Sequence, residues 1–312
     1  MKKIKTAVIG VGYLGKFHAE KYAALDNCEL VAVVDSNAET ARTIADKYDV
    51  AALTDYSKLL SKVDAVSIAA PTTEHHKIAR DFIDHGSHGL IEKPITINVD
   101  DADDLIERAQ MNDVLIQVGH LERFNAAVLG LDKFLEQPTF IESHRLAPFN
   151  TRATDVNVVF DLMIHDIDLI MEIVKSDLCA MQVSGTKVLT DSTDIANVRL
   201  QFENGCVANV TASRVSAKTE RKMRLFQKNA YISVDFQDRV LKRYQKGEKE
   251  IYPGIPEIIS QASTYEDNDA LKLEIIAFLD SIQNGKPVIV SGEDGRRALD
   301  VAIKITQQLS DN

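Results

Sequence analysis

Glu92-Lys93-Pro94 sets an amine beside a carboxylate at the end of an apolar run, and Asp161-Leu162-Met163-Ile164-His165 sets a second carboxylate four residues from an imidazole. Amines and imidazoles take up and return hydroxyl protons near neutral pH when their surroundings tune them. On a helix Asp161 and His165 share a face and Asp168 falls on a neighbouring line, so one carboxylate can orient the ring while its other nitrogen faces a substrate. Glu92 is placed to hold the Lys93 ammonium group, and Pro94 restricts the tripeptide to an extended turn, open to a cis bond. Oxidising an alcohol needs these parts: a base for the hydroxyl proton, a cation near the developing alkoxide, and a hydride acceptor.

The acceptor's site is written near the N-terminus. The apolar run Ala7-Val8-Ile9 leads into Gly10-Val11-Gly12-Tyr13-Leu14-Gly15, then a helical stretch, then Leu30-Val31-Ala32-Val33-Val34 ending in Asp35. Gly10 makes the turn after the strand, Gly12 lets backbone approach a pyrophosphate, and Gly15 lets the helix pack close to the sheet with its N-terminal amides facing the anion. Asp35, twenty residues after Gly15, can bond both hydroxyls of an adenosine ribose. A 2′-phosphate there would meet that carboxylate. Ser36 and Asn37 follow, and Arg42 is the nearest cation, so the loop predicts NAD rather than NADP.

These groups need a scaffold of suitable size and partners. The 312 residues are enough for two domains with separate cores. A net charge of −11 argues against nucleic acid as main partner. No apolar run reaches membrane-spanning length, and the basic start Met1-Lys2-Lys3-Ile4-Lys5 lacks the cleavage site of a signal peptide. Cys28, Cys179 and Cys206 are scattered and odd in number, which predicts a cytoplasmic, disulfide-free protein. No metal is expected, because Asp161, His165 and Asp168 lack further ligands at suitable spacing.

Residues 1–121 alternate strand and helix, the pattern of a Rossmann-type parallel sheet. Strands are predicted at Lys5–Gly10, Leu30–Asp35, Ala65–Ala70, Gly89–Glu92 and Val114–Val118, with helices at Leu14–Ala24, Ala38–Tyr48, His75–His85 and Asp100–Asn112. Such a sheet collects its strand ends along one crevice, and Lys93 follows one of those ends. Residues 122–312 read differently. Seven strand patterns between Phe140 and Tyr244 and helices at about Asp161–Val174, Asn268–Asn284 and Gly292–Ser310 predict a second α/β domain. Its sheet is mostly antiparallel with one open face, which suits homodimer or homotetramer formation. Asn204-Gly205 and Lys246-Gly247 read as turns, and Tyr252–Thr264, with Pro253 and Pro256, as a loop.

The glycine loop, Ala70-Pro71-Thr72 with His75, Glu92-Lys93-Pro94, Asp161 to Asp168 and the closing Ser291-Gly292-Glu293-Asp294-Gly295 resemble, in order and spacing, the Gfo/Idh/MocA oxidoreductase family. The resemblance spans nearly the whole chain. It implies that Lys93, Asp161 and His165 are the catalytic group. It also implies that Gly10, Gly12, Tyr13, Leu14, Gly15, Asp35, Pro71, Thr72, His75, Glu92 and Lys93 bind NAD. His120, Glu122 and Arg123 either line the substrate cleft or pack the domains.

Many family members carry a glycine-rich stretch before the catalytic Asp. Here Asn157-Val158-Val159-Phe160 stands in its place, and Met163 replaces the family's usual glycine. That variant, with Gly119-His120-Leu121-Glu122-Arg123-Phe124-Asn125, resembles the members that oxidise carbon 3 of UDP-N-acetylglucosamine ahead of an amino transfer, for lipid A or surface polysaccharide. Arg214, Lys218, Arg221, Lys222 and Arg224 cluster in an acidic chain and either bind a diphosphate or guard a strand edge. Arg221 is the expected phosphate contact beside Lys93, His120, Arg123, Asp161 and His165. The rival readings are a family dehydrogenase of a free sugar, inositol or imine-type substrate, and a non-catalytic NAD(H) sensor.

Overall fold

The computed structural model describes residues 3–150, 156–266 and 269–311. By packing, the chain forms two compact units. One comprises Met1–Leu121 with Asp269–Asp300, the other Glu122–Asn268 with Val301–Asn312. Part of the segment drawn from sequence into the second domain therefore packs with the first. The reason is apolar spacing on one helix, described below.

The first unit is built on six parallel strands: β1 (Ile4–Ile9), β2 (Cys28–Val34), β3 (Ala51–Leu53), β4 (Ala65–Ile68), β5 (His88–Glu92) and β6 (Ile116–Gly119), in the order β3-β2-β1-β4-β5-β6. Strand order reverses at β1, so the crevice that receives a ligand opens where β1 and β4 part company. Helices α1 (Gly15–Ala23), α2 (Ala38–Tyr48), α3 (Thr72–Ile83) and α4 (Val99–Met111) connect them. Asn37 and Asn98 cap α2 and α4 through their side-chain oxygens, the role for which short polar side chains are favoured. The three-residue β3 is absent from the sequence reading because so short an edge strand has no periodicity to detect.

The second unit holds β7 (Pro138–Leu146), β8 (Leu178–Thr186), β9 (Ile195–Phe202), β10 (Val207–Ser213), β11 (Glu220–Gln227), β12 (Ala230–Asp235), β13 (Val240–Tyr252) and β14 (Ile255–Thr264). They lie in the order β14-β13-β12-β11-β7-β10-β9-β8, antiparallel except for the β7–β10 pair. A one-turn helix α5 (Ala126–Leu129) precedes β7, and α6 (Ile164–Val174) packs on β7 and β10. Alternate residues Ile141, Ser143 and Arg145 of β7, with Val198, Leu200, Val210 and Leu225, are buried, while their strand neighbours are not.

Two local readings fail here. Residues expected to loop from Tyr252 to Thr264 form β14, paired with β13 after a turn at Pro253-Gly254, where Gly254 has φ 80°. Pro256 is tolerated because β14 is the sheet's edge and a missing N–H costs nothing there. Gly247 is no turn either: it lies inside β13, and a Cβ on it would come within 3.0 Å of Glu257. Close approach of β14 explains that glycine.

The chain closes with α7 (Ala270–Asn284) and α8 (Gly292–Asp311). Asn268, the expected start of the first of these, lies outside the described residues. Leu271, Ile275, Phe278, Leu279 and Ile282 recur at helical spacing along α7 and join Val8, Val33, Ala65 and Leu90 in one apolar cluster. That stripe puts α7 in the first unit. Phe278→Ala should destabilise the protein by about 3–5 kcal/mol through the cavity it leaves; denaturant unfolding followed by circular dichroism measures this.

Candidate active site

The nucleotide-binding loop is shaped by steric limits on backbone. Gly10 has φ 83°, and a Cβ there would sit 2.7 Å from the Ala70 nitrogen. A Cβ on Gly15 would overlap the Gly10 carbonyl oxygen at 1.7 Å, whereas one on Gly12 would meet nothing within 4 Å. Gly12 thus keeps an open approach to the loop, and the first turn of α1 presents its amides. Asp35 directly follows β2 and is half-buried. Its two oxygens accept from the Val11 amide at 3.0 Å and the Asn37 amide at 2.9 Å. A carboxylate has further lone pairs for ribose hydroxyls, and the backbone bonds fix its aim. Beside it, Gly12, Tyr13, Lys16, Thr40, Thr43 and Ile44 line an open hollow of about 400 Å³. Tyr13 and Leu14 are exposed. The loop, the aimed carboxylate and the hollow together fit a dinucleotide.

Around the next strand ends, Pro71 precedes α3 and Thr72 opens it. His75 is buried, with Nδ1 2.9 Å from the Pro94 carbonyl and Nε2 2.8 Å from the Ala70 carbonyl. It ties the loop after β4 to the loop after β5. Burial holds its pKa below the ordinary histidine value, although both carbonyls favour the charged ring. His120 follows β6, buried, with its amide donating to the Val118 carbonyl at 2.8 Å.

Glu92 does something different from what its position suggests. It is 5% exposed and turns inward, where His18 Nε2 lies 3.0 Å from its Oε1. His18 Nδ1 in turn lies 3.1 Å from Ser67 Oγ, and Tyr22 completes the chain with 2.9 Å to the same hydroxyl. Glu92 reaches Lys93 through the backbone, accepting from its amide at 3.3 Å. Burial alone would raise the Glu92 pKa, but the His18 bond and charge, then the Lys93 charge, outweigh it and leave the carboxyl below its usual value. Lys93 is half-buried and joined to Pro94 by a cis peptide bond.

In the second unit, Asn157 organises the turn that carries Asp161. Its side-chain oxygen accepts from the Val159 and Phe160 amides at 3.0 and 3.2 Å, and its backbone carbonyl accepts from Asp161. Residues Val159–Met163 form a π-turn that runs into α6. The four-residue step from Asp161 to His165 thus crosses a junction of two helical pitches, and α-helical face geometry does not carry over unmodified. Wide turns of this kind cluster at functional sites. Both side chains are half-buried, while Met163, Ile164, Asp166 and Asp168 beside them are buried.

Two arginines fix α6 just after His165. Arg145 of β7 donates to Asp166 at 2.7 and 3.2 Å and to Glu122 at 2.8 Å, and Ser143 adds 2.9 Å to the same aspartate. Burial would lower the Arg145 pKa, but Asp166 and Glu122 outweigh it and raise it. Arg123 grips Asp168 with two bonds of 2.7 Å and reaches Glu172 at 3.0 Å. Asp168 therefore serves Arg123 as a partner, and Arg123, expected among substrate contacts, spends its fork within the unit. Sequence reasoning passed over Arg145, Asp166 and His18. The available signal was two aspartates, Asp166 and Asp168, on a helix otherwise rich in Ile and Leu.

The basic cluster disperses. Arg214 is 3% exposed and bonds Asp194 at 2.8 Å and Thr190 at 3.0 Å. Lys218 pairs with Glu220, Lys222 with Asp235 at 3.2 Å, and Arg224 with Glu142 at 3.1 Å. Successive strand residues point to opposite faces, so Arg221 and Lys222 diverge. Arg221 is exposed.

A six-stranded parallel sheet with a glycine loop after β1 and a backbone-held carboxylate after β2, followed in the chain by a second α/β unit on a mostly antiparallel sheet, is the architecture of a dinucleotide-dependent oxidoreductase. Residues 4–120 match the description "Oxidoreductase family, NAD-binding Rossmann fold", and residues 135–233 the "GFO/IDH/MocA C-terminal domain". The chain belongs to the Gfo/Idh/MocA family of NAD-binding oxidoreductases. It is 39% identical over 98% of its length, and 97% of the other's, to the UDP-N-acetylglucosamine 3-dehydrogenase of Acidithiobacillus ferrooxidans. A solved structure of that enzyme superposes with TM-score 0.94 over 100% of this chain and 99% of the other. The myo-inositol 2-dehydrogenase of Thermotoga maritima is 25% identical, with 95% of this chain and 93% of that one covered.

Arg145→Met should destabilise the protein by about 3–5 kcal/mol, because it strands the buried Asp166 charge. The double change Arg145→Met with Asp166→Leu should recover part of that loss in urea unfolding.

Proposed function

We propose that this protein oxidises the hydroxyl at carbon 3 of UDP-N-acetylglucosamine with NAD. The observation that carries this reading is the likeness, along almost the full chain, to an enzyme of that activity. The chemistry of Lys93, Asp161 and His165 supports it as well.

NAD, when bound, accepts the hydride that leaves carbon 3. The alcohol loses two electrons and two hydrogens: the hydride from carbon and the proton from oxygen. In this reading Lys93 and His165 handle the hydroxyl proton. The Lys93 amine also steadies the charge that gathers on oxygen, and Asp161 orients the His165 ring. The product is a 3-keto nucleotide sugar, a substrate suited to amino transfer and so to the assembly of lipid A or a surface polysaccharide. Both reactants are water-soluble, and the reading places the work in the cytoplasm.

The open face of the second sheet supports association of two or four copies. Phe140, Phe226, Tyr231 and Tyr244 run across it as neighbouring rings, with centroids 5.6, 5.0 and 5.4 Å apart in turn. Phe140, Phe226 and Tyr231 are only half-buried and Tyr244 is exposed, and a second copy of the same face would cover that ladder.

The test is incubation of the protein with UDP-N-acetylglucosamine and NAD, with and without 2-oxoglutarate, followed by mass spectrometry of the sugar. A nucleotide sugar two hydrogens lighter is expected; turnover of free inositol or free sugars with no change in the UDP-sugar would overturn the reading. Lys93→Ala should lower kcat by about 10²–10⁴-fold while NAD affinity changes little; an unchanged kcat removes Lys93 from the proton path. Arg221→Ala should raise the KM for UDP-N-acetylglucosamine by about tenfold, the loss of one charge-assisted contact to phosphate, and leave the NAD affinity as it is.

A further inference from the structure

Helix α7 carries a carboxyl group for which the reaction has no use. Glu274 lies on the same stripe as Leu271, Ile275 and Phe278 and is 0% exposed. Neither of its side-chain oxygens has a hydrogen-bond partner among the described residues. The side-chain oxygen of Gln117 is in the same condition, while the Gln117 amide donates to the Glu274 backbone carbonyl at 3.1 Å. Buried acceptors without donors are rare in folded proteins, and each calls for an explanation. A proton on Glu274 removes a charge from apolar surroundings and supplies a donor where acceptors outnumber donors.

Gln117, which bonds the Glu274 backbone, pairs across β5–β6 with Leu90, two residues before Glu92, and α1 packs on α7 with Tyr22 in the same apolar cluster as Ile275 and Phe278. The titratable groups this brings toward Glu274 are Tyr22 and Glu92, with His18 bonded to Glu92. Burial first, and then the Glu92 carboxylate, push the Glu274 carboxyl well above the usual carboxylate range. Two carboxyl groups that share a buried region do not both ionise readily. Glu92 has His18 and the Lys93 amide as partners, so the negative charge settles there and the proton on Glu274.

We propose that Glu274 is a positioning residue that holds a proton in the folded protein, leaving Glu92 as the ionised member of the pair, bonded to His18 and to the backbone of Lys93. Ionising Glu274 would set a second negative charge against Glu92, loosen its hold on Lys93 and disturb the turn at Lys93-Pro94. The proposal rests on the assignment of the Lys93-Pro94 turn to the cofactor side of the site, where NADH senses the turn's backbone, held by Glu92 and His75, and not the Lys93 amine; its test needs no sugar.

Glu274→Gln fixes the neutral form. In the wild type the unfolded chain ionises Glu274 in the ordinary carboxylate range while the folded chain keeps it protonated. Stability is therefore lost as pH rises from that range toward the folded pKa. The melting temperature of Glu274→Gln should rise relative to wild type by several degrees between about pH 5 and pH 8. NADH affinity, read by fluorescence titration, should weaken in the wild type by at least about fivefold more than in the variant as pH rises toward 10. A melting difference that stays constant with pH means Glu274 holds no proton and overturns the proposal. A widening melting difference with superimposable NADH profiles leaves a structural acid with no hold on the Lys93-Pro94 turn, and overturns it too. If Glu274→Gln does not fold, Glu274→Met, neutral and similar in volume, takes its place in both measurements. Failure to oxidise UDP-N-acetylglucosamine would show in the sugar assay alone and leave both of these readouts standing.

Discussion

Glu92, Asp166, Asp168 and Asp194 lie almost wholly out of water, and each has a cationic or histidine partner within 3.0 Å. A buried carboxylate that lost its partner would cost several kcal/mol, a large part of a protein's net stability. These pairs therefore constrain what surrounds them. Arg145 must stay in register on β7 to meet Asp166, and Arg123 must leave the turn after β6 at the angle that meets Asp168. Arg214 must close on the loop that holds Asp194, whose carboxylate also accepts three successive amides from Val188 to Thr190. Apolar packing sets the layers of each unit. Paired charges set the exact rotation of α6 and the exit of β5.

What could be read from sequence follows the range over which each instruction acts. Gly10, Gly12, Gly15 and Asp35 were legible because the loop's sterics are local: a Cβ at Gly15 collides with a carbonyl five residues away. Helix α2 was legible end to end, with its cap Asn37 and its apolar spacing in one short stretch. The charged pairs were not, because their partners are remote. His18 and Glu92 are 74 residues apart, and Arg123 and Asp168 are 45 apart. Nothing in either neighbourhood names the other.

The misread segments show a second limit. Pro253, Gly254 and Pro256 are turn-forming residues, and they do make a turn, but a strand follows at once because an edge position forgives Pro256. The run of Arg and Lys from 214 to 224 is a cluster only along the chain. Strand alternation sends Arg221 one way and Lys222 and Arg224 the other, and Arg214 is drawn inside by Asp194. Composition counts charges; geometry decides which of them face a ligand. The π-turn at Val159–Met163 is the reverse case, since its apolar residues suit an α-helix equally well and the Asn157 side chain helps to select the wider turn.

Both candidate reacting groups are handled by one device. Lys93 is half-buried and follows the buried Glu92; His165 is half-buried and precedes the buried Asp166. Neighbouring residues point in different directions on a strand and on a helix, so the anchored charge looks inward while the reactive side chain looks out. The anchor fixes backbone, and backbone fixes where the candidate reacting group begins. Positional order is where most of the benefit of a prearranged site lies, and here it comes from carboxylates already paired inside the fold, Glu92 with His18 and Asp166 with Arg145.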